Sequence, residues 1–87
     1  MRKIWADEAW EDYLYWQTEN KRILRKINEL IKDIERGGHG GLGRPHALTG
    51  NLAGFWSRSI NEKDRLVYRV KDDIIEIASC KGHYGDK

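Results

Sequence analysis

The chain has one cysteine, Cys80, one proline, Pro45, and one phenylalanine in 87 residues. A lone cysteine excludes an internal disulfide and fits a reducing compartment, so a cytoplasmic location is the expectation. Lying in an apolar segment, Cys80 reads as a small core side chain rather than a nucleophile. No apolar run approaches the roughly 20 residues of a membrane span, and no membrane association is expected. Acidic residues interrupt Met1-Arg2-Lys3-Ile4-Trp5-Ala6-Asp7-Glu8 where the apolar stretch of a secretory leader would run. A metal site is not expected, because His39, His46 and His83 are scattered and lack a cysteine or carboxylate at ligand spacing. Nor is a cofactor: the glycines between 37 and 43 lack the G-K-[ST] step of a phosphate loop, and no strand precedes them.

What is present suits one small domain. Hydrophobic residues make up 39% of the chain, with four Trp and four Tyr, which is enough for a compact core. A chain of this size buries roughly 60% of its unfolded surface. The net charge of +2 hides an asymmetry: residues 1–19 hold two basic and five acidic side chains, residues 20–36 six basic and three acidic. Such a division fits a basic face toward an anionic partner. It fits a solvated helix face with pairs such as Arg25–Glu29 equally well.

Taken in order, Lys3-Ile4-Trp5 reads as a first strand within residues 1–5. Asp7 is the expected N-cap of a helix over residues 8–17, with Trp10, Tyr13, Leu14 and Gln17 on its apolar face and Tyr15 and Trp16 off it. Asn20 is the expected cap of a second helix reaching residue 36, whose Ile23, Leu24, Ile27, Leu30, Ile31 and Ile34 fit an amphipathic template without a miss. Gly37 and Gly38 end it. Residues 7–36 therefore form an antiparallel helix hairpin, joined by about three residues. Residues 37–51 form a glycine-rich connector, in which Pro45 stiffens the chain and holds His46 in a defined place.

Residues 52–84 alternate as half-buried strands. Leu66, Tyr68 and Val70 share one face, Arg65, Val67 and Arg69 the other, and Trp56, Arg58 and Ile60 a face of the preceding strand. Turn signals at Asn61-Glu62-Lys63-Asp64 and Lys71-Asp72-Asp73 make this a meander. The fold class is α+β: an N-terminal strand, then a helix hairpin packed on one face of a mainly antiparallel twisted sheet. The other face presents arginines to water or to a substrate.

The residues also resemble a known family. I-W-x-x-x-A-W-x-D-Y-L-Y-W at the N-terminus, I-N-x-L-I-K-D-I in the second helix, G-x-G-x-P, N-L-x-G-x-W-S-R, R-L-V-Y and the late H-Y resemble the YoeB toxins of the RelE/ParE superfamily. The resemblance covers residues 3–84. It implies a RelE-like microbial ribonuclease fold and a bacterial toxin that is usually a homodimer, neutralised by a YefM-like antitoxin. It further implies metal-free cleavage of translated mRNA in the A site of the 70S ribosome. By residue match, Arg65 is the catalytic arginine, His83 the histidine that protonates the leaving oxygen, and Tyr84 its neighbour that orients phosphate or stacks on a base. Arg44, Arg58, Lys63 and Lys81 are the candidate substrate-binding cations.

Departures from the family pattern are specific. The usual G-K-P-E-P-L-K is here Gly43-Arg44-Pro45-His46-Ala47-Leu48-Thr49, so His46 replaces the glutamate base and Thr49 a lysine. Ser59 stands in place of a second arginine, and Gly85-Asp86-Lys87 extends past the usual end as a tail. Histidine is itself a competent general base. Three readings remain open at this level: a ribosome-dependent nuclease using His46, Arg65, His83 and Tyr84, a ParE-like toxin that inhibits a protein target by binding it, or a catalytically weakened member of the resembled family that leans on the ribosome for missing groups.

Overall fold

The computed structural model describes residues 1–37 and 41–82. Its elements run β1 (Arg2–Trp5), α1 (Asp7–Glu19), α2 (Lys21–Glu35), β2 (His46–Ala47), a 3-10 turn (Gly50–Leu52), β3 (Trp56–Ser59), β4 (Arg65–Lys71) and β5 (Ile74–Ser79). The five strands form one sheet in the order β1-β5-β4-β3-β2. All neighbours pair antiparallel except β1, which runs parallel to β5 with Trp5 opposite Ile77. The α+β architecture expected from the sequence is thus present, as a mixed sheet.

The helix α2 follows its pattern. Ile27, Leu30, Ile31 and Ile34 are buried, and each full burial of such a side chain contributes about 1.5–3 kcal/mol. Asn20 caps it, its Oδ1 accepting from the amides of Arg22 and Ile23 at 3.1 and 3.2 Å. Asn20 is also the whole connection between the helices, shorter than the three residues expected. At the other end Gly37 takes φ 115°, the conformation that favours glycine after a helix.

The helix α1 departs from expectation. Ala6, not Asp7, is its N-cap, and Asp7 lies in the first turn, where its charge suits the helix dipole. The buried side chains are Ala9 and Trp16, while Trp10, Leu14 and Tyr15 are exposed. Small Ala9 lets the helix approach the sheet, and Trp16 finds a buried acceptor in the Cys80 carbonyl at 2.9 Å. Trp10 and Tyr13 stack on each other and against Trp5 at the rim.

The strand register assigns the two faces. Trp5, Trp56, Ile60, Leu66, Tyr68, Ile75 and Ile77 meet the helices in the core. Arg58 lies on that same face by alternation and is fully buried, which corrects the expectation that it faces water. The opposite face carries His46, Ser57, Arg65, Val67 and Arg69 by register. Asp72 and Asp73 both adopt positive φ, 53° and 62°, the two-residue turn whose twist suits a hairpin. Within the expected connector, β2 and the 3-10 turn add local order that two- and three-residue elements do not announce in sequence.

Candidate functional site

The β3–β4 turn is built by its own side chains. Asn61 Oδ1 accepts from the amides of Lys63 and Asp64 at 2.8 and 2.7 Å, and the Ile60 amide donates to the Asp64 carbonyl at 2.9 Å. Asp64, 3% exposed, is then fixed as an acceptor: its Oδ2 takes the Asn61 amide hydrogen at 2.9 Å and its Oδ1 the Gly82 N–H at 2.7 Å. The Arg65 amide donates to the Gly82 carbonyl at 2.9 Å. Both backbone groups of Gly82 are therefore held by consecutive residues, Asp64 and Arg65. His83 follows directly in sequence.

The other side of this segment is held by α1. The Cys80 amide donates to Asp12 Oδ2 and the Cys80 carbonyl accepts from Trp16 Nε1, both at 2.9 Å. Burial raises the Asp12 carboxyl above its usual range, with the Cys80 amide acting against that shift. Burial also pushes the Cys80 thiol up to about 12, which keeps it protonated and inert.

Arg65 is half-buried, and its Nη1 donates to the carbonyls of Asn61 and Asp64 at 2.9 and 3.2 Å. It lines a cleft of about 460 Å³ together with Lys26, Gly43, Arg44, Ser59, Ile60, Asn61 and Glu62. Among the described residues, three cations and one carboxylate thus meet at the turn end of the sheet. Arg44 arrives there because the loop is pinned from below. Arg58 Nη1 donates to Asp33 Oδ2 at 2.6 Å and to the Leu42 carbonyl at 3.0 Å, while Arg58 Nε reaches Tyr68 Oη at 3.1 Å. The Leu42 amide donates back to Asp33 Oδ2 at 3.2 Å, and the Gly43 carbonyl accepts from the Ser59 amide at 2.7 Å. A Cβ on Gly43 would sit 2.9 Å from Leu30 Cδ2 and 3.0 Å from the Ser59 carbonyl, and φ there is 79°. Only glycine fits. The Arg58 guanidinium holds the Asp33 carboxyl below the usual carboxylate range.

The structure brings together Arg44 and Arg65 of the expected site residues. Arg58 is instead a buried strut beneath the loop. His46 is exposed on edge strand β2, on the same sheet face as Arg65, but it does not line the cleft. Two strand spacings and two residues of rise put its Cα about 12 Å from that of Arg65. Lys63 is exposed on the β3–β4 turn, and Lys81 Nζ lies 4.7 Å from the Tyr15 ring centroid, toward α1. His83 and Tyr84, and the tail, lie outside the described residues. Sequence reasoning missed Lys26, Asp33 and Asp64. Only the placement of Lys26 on a basic helix gave a signal, and nothing local marked the two aspartates.

The family model described as YoeB-like toxin of bacterial type II toxin-antitoxin system matches residues 5–84. The chain belongs to that family. It is 57% identical over 84 residues to Toxin YoeB of Escherichia coli K12, covering 97% of this chain and all of the relative. Among solved structures, the YoeB/ParE toxin from Agrobacterium tumefaciens is similar at a TM-score of 0.93 and 41% identity, covering 97% of this chain and all of that one. The toxin of the Staphylococcus aureus YoeB-YefM complex is similar at 0.90 and 49%, covering 97% and 98%. The S. aureus YoeB dimer matches at 0.90 and 48% with the same coverage. In this YoeB-like toxin the strut under the loop fixes Leu42, two residues before Arg44, and the clamp on Gly82 includes the Arg65 amide.

Proposed function

We propose that this YoeB-like toxin is a ribosome-dependent endoribonuclease that cleaves translated mRNA in the A site. His46 acts as general base on the ribose 2′-hydroxyl, whose oxygen attacks the adjacent phosphorus. Arg65 offers its donors to the non-bridging oxygens as charge accumulates on the phosphorane. His83 protonates the departing 5′-oxygen, leaving a 2′,3′-cyclic phosphate and a 5′-hydroxyl. Tyr84 orients the phosphate, and Arg44, Lys63 and Lys81 draw the RNA backbone. The reaction uses no metal.

One observation carries this reading: the Arg65 amide binds the Gly82 carbonyl at 2.9 Å, so the residue joined to His83 lies beside the phosphate-gripping arginine. Arg58, given its burial and its bond to Asp33, supports the site from beneath rather than touching RNA. The S. aureus relative has been solved with YefM and as a dimer. By that likeness this chain pairs with a YefM-like antitoxin, covered at Arg65, and with a second copy of itself, in the cytoplasm. The test is expression without antitoxin, followed by mapping of message ends. Cuts within translated codons, lost in Arg65→Ala and His83→Gln, are expected. Growth arrest with unbroken messages, or full toxicity of both folded variants, overturns the reading in favour of a toxin that acts by binding alone.

A further inference from the structure

We propose that Lys26, on α2, holds a second phosphate of the RNA strand beside the one at Arg65. The inference rests on the nuclease reading for its ligand but on separate residues for its geometry. Lys26 comes from the helix layer, Arg44 from the loop and Arg65 from the sheet, yet all three line one cleft of about 460 Å³. Lys26 is half-buried, so part of its side chain is packed while the residue lines the cleft. Arg44 is held at the cleft with φ 52°, a conformation that non-glycine residues take only where the surroundings impose it. The loop that imposes it is tied to Arg58, Asp33 and the Ser59 amide.

Cations drawn from three separate elements into one cleft raise a positive potential there that favours an anionic ligand. Among the described residues, Glu62 is the one acidic residue lining the cleft, and it offsets only part of this charge. Two phosphates in series match the layout: one at Arg65, where the sheet and Gly82 meet, and the next between Lys26 and Arg44. Among the described residues, Ile60 is the one apolar side chain lining the cleft, which gives an acidic peptide few apolar anchors. A nucleic-acid strand needs none for its backbone. Lys26 is thus a binding residue that fixes where the strand enters, and it takes no part in proton transfer.

The test uses the full chain and a short single-stranded 2′-O-methyl RNA, which binds but has no free 2′-hydroxyl to attack. Binding is titrated against salt for the parent, Lys26→Ala, Lys26→Arg and Lys32→Ala. Each phosphate contact contributes a slope of about −0.7 in log affinity against log salt for single strands. Lys26→Ala is expected to weaken binding about tenfold at low salt and to shallow the slope by about one such contact, with Lys26→Arg close to the parent. Lys32→Ala removes the same charge from α2 outside the cleft and is expected to leave the slope unchanged. Parent-like binding and slope in Lys26→Ala overturn the proposal, as does an equal loss in Lys32→Ala, which marks net charge alone. If polyglutamate binding depends on Lys26 while RNA binding does not, the cleft serves an acidic peptide and the proposal falls. Loss of slope in Lys26→Ala with a parent that never cuts RNA keeps the subsite and removes the nuclease reading. Cutting by the parent with no Lys26 effect does the reverse.

Discussion

Asp64 Oδ1 accepts the Gly82 N–H at 2.7 Å from a side chain that is 3% exposed. Its neighbour Arg65 binds the carbonyl of the same glycine. On the proposed nuclease reading, the bond makes Asp64 a positioning residue for the segment that leads to His83. Asp64→Ala is expected to cost about 1–3 kcal/mol, the usual penalty for stranding a buried partner. Cleavage measured well below the melting temperature should fall further, by about 10²-fold, the scale of a 1 Å misplacement. Asp64→Asn keeps an acceptor for Gly82 and should recover much of that rate. A folded Asp64→Ala that cuts at the parent rate would show that Gly82 needs no such anchor.

Trp16 holds the same segment from the helix side through Cys80. Trp16→Phe keeps most of the packing and removes the Nε1–H donor, leaving a buried carbonyl. Chemical denaturation should register a loss of about 1–3 kcal/mol. No change in midpoint would mean that the carbonyl is satisfied some other way.

Asp33 and Arg58 contribute to the acid limit of stability. The Arg58 guanidinium depresses the Asp33 carboxyl, so the folded state binds its proton less readily than the unfolded chain. The stability from this pair is therefore present above the ordinary carboxylate range, near pH 4, and is lost as pH falls through the lower folded value. Asp33→Asn should flatten that part of the pH–stability curve. It should also lower the melting temperature more than Arg58→Met does, because it leaves a buried guanidinium without its carboxylate. Equal losses, or an unchanged acid transition, would contradict this assignment.

These residues show what sequence could and could not give. The α2 pattern was readable because six apolar positions repeat at helical spacing, and the meander because alternating segments flank Asp-rich turns. In α1 four aromatics lie around the helix, so periodicity alone did not show that Ala9 and Trp16 face inward. Alternation put Arg58 with Trp56 and Ile60 correctly but is silent on which sheet face the helices cover. The cleft was hidden altogether, since Lys26, Arg44 and Arg65 meet only after the helix, loop and sheet are assembled.

His46 lies on the open face with Arg65, at the edge of the sheet. His46→Ala should slow single-turnover cleavage by about 10²–10⁴ and flatten the acidic limb of its pH profile. His46→Glu should restore activity, because a carboxylate can take the same proton. An unchanged rate and profile in His46→Ala would assign the base elsewhere.

The most direct measurement is the chemistry of the cut ends. Ribosomes programmed with a defined message and given purified toxin should yield fragments ending in a 2′,3′-cyclic phosphate and beginning with a 5′-hydroxyl. Both should disappear with Arg65→Ala. A message that stays intact while translation stops, or fragments that begin with a 5′-phosphate, would contradict the account.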